Sequence, residues 1–146
     1  MKVRAYLLTT TFLLCATGLL LSQTVVEKVL VKSFNLNGSE SVDLQLAGNV
    51  EVEEWNNDIM RVQMTITAEN TSETTIKSLI KAGRYNIKSK EGENTYMVYV
   101  PGIEREIRVK GLPLNDDVSY VVSVPHGTFV RLTDESSTDL NPIDEN

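Results

Sequence analysis

The sequence predicts an all-β fold, with short strands forming a sandwich or a short β-solenoid-like stack and one short amphipathic helix over about residues 71–82. Three observations predict it. Apolar and polar residues alternate with a period of two through most of the chain, Gly, Asn and Pro interrupt that alternation at close intervals, and a single segment shows helical spacing instead. Alternation of this kind marks strands with one buried face, and many closely spaced strands favour a sandwich, barrel or solenoid over an α/β arrangement.

The elements follow in order. Phe34 and Leu36 alternate with polar residues before the turn at Asn37-Gly38-Ser39. Val42, Leu44 and Leu46 alternate next and stop at Gly48-Asn49, after which Val50 and Val52 continue the pattern. Val62, Met64, Ile66 and Ala68 alternate with Arg61, Gln63, Thr65 and Thr67, the longest clean run. Ile76, Leu79 and Ile80 then recur at helical spacing, with Lys77 and Lys81 on the other side. Asn70 is the expected N-cap, with Glu73 completing a capping box, and Gly83 stands where a left-handed residue ends a helix. Strands resume with Tyr85 and Ile87, then Tyr96, Val98 and Val100, which stop at Pro101-Gly102. Ile107 and Val109 precede Gly111, Val118 to Val124 alternate up to Pro125-His126-Gly127, and Phe129, Val130 and Leu132 close the ordered part.

The ends read differently. Lys2 and Arg4 precede an apolar run from Ala5 to Leu21, and Ser22 and Gln23 end it, which is the pattern of a secretory signal over 1–22. The run is slightly shorter than the roughly 20 residues that span a bilayer, so cleavage beside Ser22 or Gln23 is expected, an uncleaved anchor being the alternative. Cys15 lies inside the run after the bulky Leu14, unlike a lipid-attachment cysteine, and would leave with the signal. The mature chain would then lack disulfides and rely on core packing, as one β-rich domain over 23–132. Residues 133–146 are acidic and polar and read as a disordered tail. The formal charge of −6 becomes −8 without Lys2 and Arg4. Asp134, Glu135, Asp139, Asp144 and Glu145 put much of that charge in the tail. Nucleic acid and anionic lipid surfaces are poor partners for such a chain, and no membrane span is expected once the signal is gone.

Two further patterns bear on organisation. Tyr96-Met97-Val98-Tyr99-Val100-Pro101 echoes Tyr120-Val121-Val122-Ser123-Val124-Pro125, an offset that suits one turn of a solenoid. The plainer reading is that two similar strands each stop at a proline. The segment from Gly48 to Glu69, with Val50, Val52, Trp55, Asn56, Asp58, Arg61 and Val62, resembles the opening of the bacterial adhesin-like β-helix domain family, relatives of auto-transporter adhesin head domains. Val124-Pro125-His126-Gly127 resembles the point where such proteins enter their repeating strands. The resemblance implies a non-enzymatic envelope or cell-surface protein with an adhesin-like β domain, contacting a protein or a glycan. Members continue into Gly- and Ser-rich repeating strands that this sequence lacks, and the family carries no established catalytic residues to transfer.

Chemistry-bearing residues are sparse. His126 is the only histidine, and a nucleophilic triad would need it with Ser123 and an acid such as Asp134. Ser123 and His126 flank a proline, and a polar turn histidine is the plainer reading. Asn115-Asp116-Asp117 reads as a solvated turn rather than a calcium loop, and Glu51 and Glu53 share the solvent face of a strand. No catalytic residue, metal site or cofactor is expected. Trp55 at a strand end and Tyr99, on the opposite face of its strand from Tyr96, form the candidate interaction patch. The expected setting is the periplasm or the cell surface, with self-association through exposed edge strands as a further expectation. The alternative function is a small periplasmic module that binds a ligand or a partner.

Overall fold

The computed structural model describes residues 25–133. Two four-stranded sheets enclose one apolar core. The first has the order β1 (Val25–Asn35), β4 (Ile59–Glu69), β9 (Asn115–Pro125), β3 (Asn49–Trp55). The second has the order β10 (Phe129–Leu132), β2 (Ser41–Gln45), β6 (Thr95–Tyr99), β5 (Lys88–Glu91). A small hairpin pairs β7 (Arg108–Val109) with β8 (Leu112–Pro113). Neither sheet closes on itself. The all-β class with one helix is what the alternation predicts, in its sandwich form.

Alternation becomes burial directly. Along β4, Met60, Val62, Met64, Ile66 and Ala68 are fully buried while the residues between them are half-exposed. Tyr120, Val122 and Val124 of β9 pack beside them, and Val42, Leu44, Tyr96 and Val98 supply the facing layer. Phe34 of β1 meets Tyr96 of β6 edge to face at 6.0 Å between ring centroids, joining the two layers. The strands are not uniformly short, because β1, β4 and β9 each run for 11 residues. Most of β1 escapes the sequence reading, since Val25-Val26 and Val29-Leu30-Val31 place apolar residues on both faces.

Connectivity is less regular than the sequence implies. β3 does not pair with β4; β9 lies between them, parallel to β3 and antiparallel to β4. In the second sheet β10, β2 and β6 run parallel. The two copies of the Tyr-x-Val-x-Val-Pro pattern lie in different sheets, Tyr96 beside Val42 and Tyr120 beside Val50, so they do not stack as successive turns. Gly48 carries the chain from one sheet to the other with φ of +115°, and a Cβ there would stand 2.2 Å from the Val118 carbonyl oxygen. That close approach demands glycine.

The helix α1 spans Glu73–Lys81 and buries Ile76 completely. Its N-cap is Ser72, whose Oγ accepts from the Thr75 amide at 3.1 Å, rather than Asn70. Asn70 instead takes a left-handed φ of +53° to turn the chain out of β4. Glu73 therefore sits in the first turn, where it binds Lys28 at 2.6 Å and Lys77 at 3.0 Å. At the other end Gly83 donates to Ile80 O and Arg84 to Leu79 O, with Gly83 at φ of +86°, a Schellman ending as expected. The predicted signal over 1–22 and all of the predicted tail beyond Thr133 lie outside the described residues.

Candidate interaction surface

β3 ends at Trp55, and the turn at 56–58 must carry the chain across the end of β9 to reach β4. Trp55 fixes that turn by donating from Nε1 to the Ile59 carbonyl at 2.8 Å. Because Met60 and Val62 point inward, Arg61 points to the outer face of the sheet. Its guanidinium lies over the Trp55 ring, 4.6 Å from the centroid, a cation–π contact. Ser123 sits between β4 and β3, opposite Arg61 on one side and Glu53 on the other. Its Oγ donates to Glu53 Oε1 at 2.6 Å, so this side chain is buried on the outer face by its own neighbours. Just beyond, His126 Nδ1 lies 2.7 Å from Glu54 Oε2, both exposed. An aromatic ring, a cation, two carboxylates and an imidazole thus share one corner of the first sheet.

The other predicted patch residue lies elsewhere. Tyr96 and Val98 point into the core, so Tyr99 is on the outer face of the second sheet, beside Gln45 and Lys88. Trp55 and Tyr99 occupy outer faces of different sheets and form no common patch. Ser123 and His126 are also not paired; each is engaged by its own glutamate, and the Asp134 of the considered triad is outside the described residues. Of the corner's members the sequence singles out Arg61 only within the adhesin-like resemblance and Glu53 only as surface charge, and Glu54 not at all. The signal for Arg61 and Glu53 is the phase of alternation they share with Trp55; Glu54 is in the opposite phase, beside Val124.

A second polar cluster is internal. Asp116 belongs to β9 and continues the inward phase of Val118 and Tyr120, so it is not the solvated turn that the sequence suggested. Its carboxylate takes Nε and Nη2 of Arg84 at 2.9 and 3.0 Å and the Tyr85 hydroxyl at 2.7 Å. The Arg84 Nη1 group donates to the carbonyls of Gly102 and Arg105, tying the loop after β6 to the end of α1. Burial raises the Asp116 carboxyl, but the Arg84 and Tyr85 hydrogen bonds and the Arg84 charge outweigh it and hold it below its ordinary range. Burial, and then the adjacent carboxylate, pushes the Tyr85 phenol up. The Asp116 carboxylate, the Tyr85 hydroxyl and four Arg84 N–H groups bond one another or nearby carbonyls, so the cluster is a structural tie.

Open clefts complete the surface. One is bordered by Glu40, Ser41, Asn94, Phe129 and Arg131, and another by Leu44, Leu46, Val50 and Leu132 where β10 approaches β3. Among the described residues no group of three or more His, Cys, Asp or Glu could hold a metal ion, and no helix is long and apolar enough to cross a membrane.

No family model and no curated protein sequence matches the chain. Two solved structures resemble it. One is a "putative adhesin" from Bacteroides fragilis, 11% identical, covering 73% of this chain and 40% of that one at a TM-score of 0.39. The other is a "putative cell adhesion protein" from Clostridium sporogenes, 14% identical, covering 73% of this chain and 46% of that one at a TM-score of 0.39. The chain spans less than half the length of either. Neither likeness assigns it a role.

Proposed function

We propose that the chain is a non-enzymatic, exported protein of the cell envelope whose β domain contacts a protein or a glycan through the Trp55 corner. The observation that carries this reading is the outward grouping of Trp55 and Arg61 with Glu53 at an unpaired sheet edge, with the exposed Glu54–His126 pair at the end of the same strand. An indole offers a flat apolar surface for a sugar ring or an apolar side chain, and the charges around it supply oriented hydrogen bonds. The buried Arg84–Asp116–Tyr85 cluster is consumed by its own contacts, which leaves the surface as the place for recognition.

Protease shaving of intact producing cells tests the setting. Release of peptides from the Gly48 to Val124 region supports a surface role, and protection until the envelope is breached moves the protein to the periplasm. A glycan and envelope-protein binding screen then tests the corner. Trp55→Ala is expected to weaken any captured partner about tenfold or more, as for an aromatic anchor. Tyr99→Ala, on the other sheet, is expected to leave binding unchanged; equal loss from both, or from neither, would refute the assignment. A second reading, a periplasmic module that captures a ligand, draws on the cleft bordered by Leu44, Leu46 and Leu132. Retention of an apolar ligand that a Leu46→Trp substitution displaces would favour it.

A further inference from the structure

β1 is the outermost strand of the first sheet and runs for 11 residues, paired on one side only. Among the described residues no backbone hydrogen bond joins its outer edge to another segment. Long, apolar edge strands are templates for pairing, and proteins normally guard them with lysines, prolines or bulges. β1 has no proline, and its two lysines are turned to other tasks. Lys28 binds Glu73 of α1 at 2.6 Å and Lys32 donates to the Ile87 carbonyl at 2.7 Å. The exposed large apolar residues of the outer face are Val25, Val29 and Val31, 56, 49 and 57% exposed, with Glu27 its one charged side chain.

The charge pattern selects the occupant. If β1 pairs antiparallel with β1 of a second copy, keeping the inner and outer faces continuous, a two-fold axis at Glu27 opposes two glutamates. An axis at Lys28 opposes two lysines, and one at Leu30 places Lys28 opposite Lys32. An axis at Val29 or at Val31 opposes no like charges and stacks valine on valine, with Lys28 or Lys32 beside Leu30 of the other copy. The opposite edge of the same sheet behaves in the contrary way. Antiparallel pairing of β3 with itself about Glu51, Val52 or Glu53 sets glutamate against glutamate in the first two positions and Glu53 against its own copy in the third. The two edges of the second sheet, β10 and β5, are each only four residues long.

We propose that two copies of this chain associate through β1, antiparallel about the outward valines Val29 and Val31, to form a continuous eight-stranded sheet. The arrangement is isologous and closes as a dimer, because each β1 edge is used once. It leaves the Trp55 corner free at the far edge of each protomer, so it stands apart from the partner binding proposed above.

Sedimentation of the protein purified from producing cells tests this across a concentration series. A monomer–dimer equilibrium is expected, and Val29→Lys with Val31→Lys is expected to raise the dimer dissociation constant at least tenfold while circular dichroism stays unchanged. Glu51→Lys on β3 is expected not to weaken the dimer. Hydrogen exchange gives a readout in the unaltered protein: outward β1 amides are protected in concentrated samples and exchange freely on dilution. A monomer at the highest soluble concentration, or a dimer dispersed by Phe129→Lys but not by the β1 pair, would overturn the proposal.

Discussion

Replacing Asp116 with alanine removes the centre of a buried ion pair that ties three segments together. The side chains of Arg84 and Asp116 are only 8 and 6% exposed, and the contact is bidentate at 2.9 and 3.0 Å. Asp116→Ala leaves the guanidinium desolvated with only the Gly102 and Arg105 carbonyls, and deprives the Tyr85 hydroxyl of its acceptor. Breaking such a pair from one side costs about 3–5 kcal/mol. Domains of this size have about 5–15 kcal/mol in total, so at least about a fifth of the stability is at stake. At roughly 4 °C per kcal/mol, the melting temperature should fall by about 12–20 °C. Urea unfolding followed by Trp55 fluorescence and far-ultraviolet circular dichroism measures it; with a slope of about 2 kcal/mol per molar, the midpoint should drop by about 2 M. Arg84→Met combined with Asp116→Leu removes both charges and should cost less than Asp116→Ala alone. A loss under about 1 kcal/mol for the single variant, or a double variant worse than the single, would refute the reasoning, since both outcomes imply a solvated pair.

Other expectations follow from single contacts. Among the described residues the buried Tyr120 hydroxyl has no hydrogen-bond partner, so Tyr120→Phe should raise stability by about 1 kcal/mol in the same urea assay, and an equal loss would show that a partner exists. Gly48→Ala should cost more than about 2 kcal/mol, because the added Cβ meets the Val118 carbonyl and φ is positive. Ser72→Ala should cost about 1 kcal/mol and Asn70→Ala should not act as a cap loss, which thermal melts of the two variants would compare. In acid, hydrogen bonds from Lys28 and then Lys77 lower the Glu73 carboxyl to about 2, and Asp116 is also held below its ordinary range. Both stabilise the folded state above the unfolded carboxyl range near about 4 and lose that contribution as pH falls through the folded values. Stability should therefore decline below about pH 4, and Asp116→Asn and Glu73→Gln should each flatten the decline, as acid titrations of the variants would show.

The family of strands around the core was legible because period-two alternation reports a buried face, whatever the partner. Val62 to Ala68 and Val118 to Val124 read cleanly for that reason, and Gly83 read as a helix end because glycine takes the left-handed position there at the least steric cost. β1 did not, because an edge strand with valines on its outer face breaks the alternation. Asp116 was misread as a turn although it continues the inward phase of Val118 and Tyr120. An acid in that phase signals a buried partner, but Arg84 lies 32 residues away in sequence, and only the fold brings it near.

Trp55 as a strand end beside a polar turn was likewise in the sequence; its stacking with Arg61 and its distance from Tyr99 were not. Alternation assigns each residue to a face of its own strand but not to a sheet, since the pattern is the same whichever neighbour pairs with it. By itself the sequence determined the all-β class, the positions of most strands and turns, the single helix and its glycine ending. The tertiary structure alone decided that β9 slides between β3 and β4, that Tyr96 and Tyr120 enter different sheets, and that β1 and β3 become the open edges. Strand pairing joins segments far apart in the chain through backbone groups that every residue carries, so the side-chain pattern cannot specify it.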